Sequence, residues 1–162
     1  LASSAASDVY KRQEQYADLT AKIAEVHAAS GQAAETLKDV EARLSDMAVL
    51  IKNITTYQKT KPAYDAYRKA KDRGSYRAAH ERDIILHEAA VKAIKGAGIS
   101  KLPDIAALQT EYAKLQERKE ALYADYGKLK KQVKEYDVIK RNIDSILRRE
   151  SEPERGKENV RG

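Results

Sequence analysis

Leu37-Lys-Asp-Val40-Glu-Ala-Arg-Leu44-Ser-Asp-Met47-Ala-Val-Leu-Ile51-Lys-Asn-Ile54 decides the fold. Its apolar residues recur at alternating spacings of three and four, the period of one face of an α-helix that meets a partner along a heptad seam. Upstream the same phase passes through Ala33, Ser30, Val26, Ile23, Leu19 and Tyr16 without a slip. A second series with the same alternation runs through Ile105, Leu108, Tyr112, Leu115, Lys119, Leu122, Tyr126, Leu129, Val133, Tyr136, Lys140, Ile143 and Leu147. Only Lys119 and Lys140 in it are charged. Pro103 suits the first turn of that helix, Asp104 its positive end, and Arg148 and Arg149 its negative end.

These patterns predict an all-α chain built on two long helices, about 14–58 and 103–149, of nearly equal length. Equal length favours a long antiparallel helical hairpin, a coiled coil whose register sets Ile54 beside Ile105. The same register brings Leu44 to Leu115, Leu37 to Leu122 and Val26 to Val133. Small residues then face large ones, Ala33 opposite Tyr126 and Ser30 opposite Leu129, as an interdigitated seam requires. Gly31 and Gly127 fall at nearly the same height, which fits a soft joint or a close backbone approach as well as two independently tolerated glycines.

Residues 59–102 would form a short two-helix cap. One helix is expected over 62–71, opened by Pro62, and a second over 76–95 with Ser75 as its N-cap. Asp72-Arg73-Gly74-Ser75 would separate them and Gly96-Ala97-Gly98 stop the second. The last residues, 151–162, combine Pro153, two glycines and mixed charge without an apolar pattern, and are expected to be disordered. At the other end, Asp8-Val-Tyr-Lys-Arg-Gln13 is what GATGTGTATAAGAGACAG encodes, the transposase mosaic-end adaptor of sequencing libraries. Residues 1–13 are therefore expected to be adaptor translation outside the fold, the alternative being a disordered arm. On that reading the chain is the tail of a longer protein.

Composition agrees with helices and narrows the chemistry. Ala, Glu, Lys, Leu and Arg make up about half of the 162 residues, while Leu, Ile, Val and Phe stay under a fifth. That apolar share is too thin for the core of a compact α/β enzyme at this length. There is no Cys for a disulfide or thiolate site, and no membrane-length apolar run, so a cytoplasmic chain is expected. The histidines do not form a metal-binding pattern. His80 and His87 are two turns apart on a helix, and His80-Glu81-Arg82-Asp83-Ile84 has Ile84 where a zincin motif needs its second His. Asp83 and His87, at i and i+4, suit an electrostatic pair or packing beneath the cap. His27 stands alone. No nucleophile motif or phosphate-cradling glycine loop occurs, so no catalytic residue, metal site or cofactor is expected in this chain.

The net charge is +6, and its placement is more telling than its size. Between residues 59 and 77 seven basic residues, Lys59, Lys61, Arg68, Lys69, Lys71, Arg73 and Arg77, face only Asp65 and Asp72. Tyr57, Tyr64, Tyr67 and Tyr76 are interleaved with them. Cations bind phosphates by releasing counterions and aromatic faces stack on unpaired bases, so these basic residues with Tyr64 and Tyr67 are candidate DNA-binding residues. The competing reading has the tyrosines sealing the tip of the hairpin and the lysines merely solvated. A second basic strip, Lys128, Lys130, Lys131 and Lys134, is diluted by acidic neighbours and reads as a solvated flank.

Four blocks, Lys61-Pro-Ala-Tyr-Asp-Ala-Tyr-Arg-Lys69, His80-Glu-Arg-Asp-Ile-Ile-Leu-His-Glu-Ala-Ala90, Lys101-Leu-Pro103 and Leu108-Gln-Thr-Glu-Tyr-Ala113, together resemble the C-terminal helical region of relaxases, the mobilisation nucleases of Firmicutes conjugative elements. The resemblance covers about 14–150. It implies a non-catalytic module appended to a DNA strand-nicking domain whose histidine cluster and nicking tyrosine have no counterpart here. The partners it implies are transfer-origin DNA, relaxosome or coupling proteins, and a second copy of the chain. The alternative is a coiled-coil scaffold that binds proteins and never touches DNA.

Overall fold

A computed structural model describes residues 2–151, and side chains from Ser4 onward. Four helices account for nearly all of them, with no strand among the described residues: α1 (Ala2–Lys69), α2 (Arg73–Ala79), α3 (Glu81–Gly96) and α4 (Ile105–Ser151). None is long and apolar enough to cross a membrane. The chain divides into two units, residues 38–120 and residues 1–37 with 121–162, each containing part of α1 and part of α4.

In the unit formed by the chain ends, the first half of α1 buries Ile23, Val26 and Leu37 and half-buries Leu19, Ser30 and Ala33. On α4 the seam positions Leu122, Tyr126, Leu129, Val133, Tyr136, Lys140 and Ile143 are half-buried, as are Asp137, Asp144 and Ser145. Polar links tie early residues of α1 to late residues of α4. The Tyr16 hydroxyl donates to Asp144 at 2.8 Å, His27 meets Asp137 at 3.0 Å and Arg12 lies 3.9 Å from Glu150. Residues 2–13, read from the sequence as adaptor translation or a disordered arm, are helical as the start of α1. At the other end Ser151 closes α4, and the remainder of the tail, 152–162, lies outside the described residues. The close approach imagined for Gly31 and Gly127 is absent, since a Cβ on either would meet nothing within 4 Å.

The middle unit has a deeper core. Val40, Leu44, Met47 and Ile54 of α1 and Ile84, Ala90 and Ile94 of α3 are buried, and Ile54 and Ile84 are fully covered. Leu108, Tyr112, Leu115 and Lys119 of α4 are half-buried, with Lys119 at 4.0 Å from Glu41.

Three helix boundaries differ from expectation. The break foreseen between residues 58 and 62 does not occur, and α1 runs through Pro62 to Lys69. A proline inside a helix costs about 3 kcal/mol in lost bonding and steric clash. Here the turns on both sides are held by burial of Ile54 and Thr60 and by the Lys61–Asp65 ion pair at 2.7 Å, which straddles the ring. The helix expected over 76–95 is two helices, bent at His80, whose φ of −125° and ψ of 30° lie outside the helical region. Backbone bonds from His80 to Tyr76 and from Ile84 to His80 carry the chain across the bend. α2 also starts earlier than foreseen. Asp72 rather than Ser75 is its N-cap, accepting from the Ser75 amide at 3.1 Å and the Ser75 hydroxyl at 2.8 Å. At the end of α3 the stop is a glycine turn. Gly98 takes φ +78°, its amide bonding to Lys95, and Ile99 bonds back to Ile94, which closes the last turn in a conformation that favours glycine. Asp104 then accepts from the Ala106 amide at 3.2 Å and starts α4 two residues after Pro103.

Candidate functional site

The basic segment occupies the end of α1, the turn at 70–72 and α2, where α3 packs against it. His87 is the pivot of this packing. It is 3% exposed, and its ring stacks between Tyr57, at 4.8 Å between centroids, and Tyr64, at 4.4 Å. Its Nδ1 lies 3.0 Å from the hydroxyl of buried Thr60. That hydroxyl has one proton, directed at the Thr56 carbonyl 2.7 Å away, so Nδ1 carries the hydrogen and donates to Thr60. Nε2 is then the unprotonated nitrogen. Burial holds the His87 pKa below the ordinary imidazole value, against the pull of the Tyr57 carbonyl and of Asp65.

The tyrosines are engaged with the protein itself. Tyr57 and Tyr64 clasp His87, Tyr67 tilts against Tyr64 at 5.9 Å and lies under the Arg77 guanidinium at 5.8 Å, and Tyr76 stacks on His80 at 4.3 Å. All four are half-buried.

The seven basic residues fall into two groups. Lys61 is bound to Asp65, which raises the lysine's pKa and lowers the carboxylate's. Arg77 makes two bonds to Glu88, at 2.9 and 3.3 Å, that hold this carboxylate below its usual range. Lys59, Arg68, Lys69, Lys71 and Arg73 are exposed. The Arg73 guanidinium donates to the Arg68 carbonyl at 3.1 Å, bridging the end of α1 to the start of α2. Asp72 is held below the usual carboxylate range by its bonds from Ser75, so it stays a charged cap.

A cleft of about 730 Å³ opens beside this packing, between the end of α1, α3 and the loop before α4. Tyr57, Tyr64, Val91, Ile99 and Leu102 give it apolar walls, and Lys61, Asp65, Arg68, His87, Glu88, Lys92 and Lys95 line it with charge and polarity. One of those cations, Lys61, and both carboxylates, Asp65 and Glu88, are accounted for by the Lys61–Asp65 and Arg77–Glu88 pairs. Sequence reasoning missed Thr60, Lys92 and Lys95 as parts of this site and placed His87 only as packing or as a partner of Asp83. A signal existed: the spacing of three and four continues from Ile54 through Tyr57, Thr60, Tyr64 and Tyr67, which sets one face of α1 against α3.

Among the described residues no group of His, Cys, Asp and Glu is arranged to hold a metal ion. No protein-family model matches the chain, and neither a curated protein nor a solved structure matches it.

Proposed function

We propose that this chain is the non-catalytic C-terminal helical module of a DNA relaxase, a cytoplasmic protein of plasmid or transposon mobilisation, and that its basic cap holds transfer-origin DNA. The observation that carries the reading is the set of five exposed cations, Lys59, Arg68, Lys69, Lys71 and Arg73, gathered at one end of α1 and the start of α2. Because the neighbouring tyrosines stack on the protein's own histidines and arginine, contact with DNA runs through phosphates more than through base stacking. The long helices act as a spacer: α1 and α4 form an antiparallel coiled-coil hairpin. Within the unit of the chain ends, the links Arg12–Glu150, Tyr16–Asp144 and His27–Asp137 pair early residues of α1 with late residues of α4, which supports that reading.

Five phosphate contacts give a log–log salt slope of about −4 to −5 on duplex DNA. A gel-shift series across salt concentration, on the full chain with single- and double-stranded origin DNA, reads this slope. Replacing Lys59, Arg68, Lys69, Lys71 and Arg73 by Ala flattens it, and binding that keeps its slope in that variant rules the cap out.

A second reading, a coiled-coil scaffold that docks relaxosome or coupling proteins or a second copy without touching DNA, draws on another feature. Val138, Ile139 and Ile146 of α4 are 46%, 43% and 52% exposed. Light scattering on the same sample separates the two: a dimer with no DNA shift favours the scaffold.

A further inference from the structure

We infer that the cleft between the end of α1 and α3 is a phosphate-binding site, in which Arg68, Lys92 and Lys95 supply the charge and the Nε2 edge of His87 forms part of the wall. The inference rests partly on the nucleic-acid reading above, and it names the chemical group that this cap would grip. Three observations carry it. The cleft, about 730 Å³, is large enough for a nucleotide-sized group. Its charge is unbalanced: Lys61 with Asp65 and Glu88 with Arg77 are internally neutralised, while no ion pair engages Arg68, Lys92 or Lys95 among the described residues. His87 belongs to the lining although it is 3% exposed, and Nε2 is the ring nitrogen that Thr60 does not engage.

A side chain that is clasped by two tyrosines and bonded through Nδ1 has a fixed direction, so Nε2 is a preset contact rather than a mobile one. The apolar wall of Val91, Ile99 and Leu102 lowers the local dielectric on one side, which strengthens attraction between the three cations and a doubly charged ligand. Inorganic phosphate or a phosphate monoester, with about two charges near pH 7.5, suits that surplus better than a carboxylate or a strand phosphodiester, each of which brings one. Burial holds the His87 pKa below the ordinary imidazole value, so near neutral pH Nε2 keeps its lone pair and accepts a hydrogen bond from a hydroxyl of inorganic phosphate, while Arg68, Lys92 and Lys95 supply the charge.

The test follows the imidazole signals of His87 by NMR in the full chain, with the other two histidines assigned through His27→Gln and His80→Gln. Three probes are titrated: inorganic phosphate, a nucleoside monophosphate, and a single-stranded oligonucleotide. The expected result is a saturable shift of the His87 signals that the variant Arg68→Gln/Lys92→Gln/Lys95→Gln weakens about tenfold or more, the scale for losing charge-assisted contacts in a partly open site. Circular dichroism confirms that the variant remains helical. A shift with inorganic phosphate or the monophosphate identifies a small-molecule phosphate as sufficient, and a shift with the oligonucleotide alone identifies a strand phosphate as the ligand. Silence of His87 toward all three probes, or an undiminished shift in the triple variant, overturns the inference. DNA binding without a His87 shift discards the cleft and keeps the cap, whereas a phosphate-induced shift without DNA binding does the reverse.

Discussion

The unit spanning residues 38–120 and the unit made from the chain ends use helices of the same kind but bury their side chains to different depths. In the middle unit α3 is added to the α1 and α4 segments, and Ile54 and Ile84 lose all contact with solvent. Where the ends meet, only segments of α1 and α4 are available. Ile23, Val26 and Leu37 are left 5–8% exposed, and no residue of α4 is buried. Two helices can share a stripe, while a third element closes a core around that stripe. The polar contacts follow the same division. Around His87 they are buried and fixed, whereas Tyr16–Asp144 is only part-buried and His27–Asp137 is exposed, where such a pair contributes about 0–1 kcal/mol.

The sharpest way to break this comparison is to make one substitution in both places. Ile54→Ala removes a side chain with no access to water and leaves a cavity that rigid neighbours cannot fill, for a loss of about 4 kcal/mol. Ile23→Ala, at 8% exposure beside half-exposed neighbours, leaves a gap that can collapse or admit water, for a loss of about 2 kcal/mol. Urea unfolding followed by circular dichroism measures both. Equal losses would show that the third element adds no depth.

A smaller effect separates the units along the pH axis. Thr60→Val keeps the shape of the side chain but leaves the buried Nδ1–H of His87 without its acceptor, at a cost of about 1–3 kcal/mol. In the unaltered protein the same histidine makes the middle unit sensitive to mild acid. Its folded pKa lies below the unfolded value of about 6.5, so the unfolded chain takes up the proton first. Stability is therefore complete above pH 6.5 and is lost as pH falls from there toward the folded value. Asp144 in the other unit is held low by the Tyr16 hydroxyl and by Lys140, so its contribution persists to more acid conditions and fades as pH drops below about 4. Amide exchange at pH 7.5, 5.5 and 4.5 should loosen residues around 54–90 before those around 16–30. The reverse order contradicts the assignment of His87 as a buried neutral base.

Much of this division was legible in the spacing of apolar residues. The buried positions Ile23, Val26, Leu37, Val40, Leu44, Met47 and Ile54 are all members of the seam read from the sequence, because a heptad stripe is a local pattern that no distant residue needs to complete. Pro62 misled because its intrinsic cost is a local quantity, and what outweighs it, the packing of Tyr57, Thr60 and Tyr64 on His87, joins residues about a score or more apart in the chain. The basic segment was legible as charge. Which of its cations are spent on Asp65 and Glu88, and that Lys92 and Lys95 share a cleft with Arg68, depends on the way α3 folds back, which no short motif encodes.

The smallest effect concerns glycines, and it changes sign with position. Gly31 and Gly127 sit inside α1 and α4 with open space where a Cβ would go, so neither serves a close approach. Gly31→Ala and Gly127→Ala should each stabilise the protein by about 0.5–1 kcal/mol, chiefly by restricting the unfolded chain. At Gly98 open space does not help, because φ +78° is costly for a residue with a Cβ, and Gly98→Ala should destabilise by about 1 kcal/mol. Thermal unfolding of the three single variants checks the signs. A loss of stability at Gly31 or Gly127 would mean that these helices bend there in solution and that glycine is needed for the bend, which would turn the shallow unit into a jointed one.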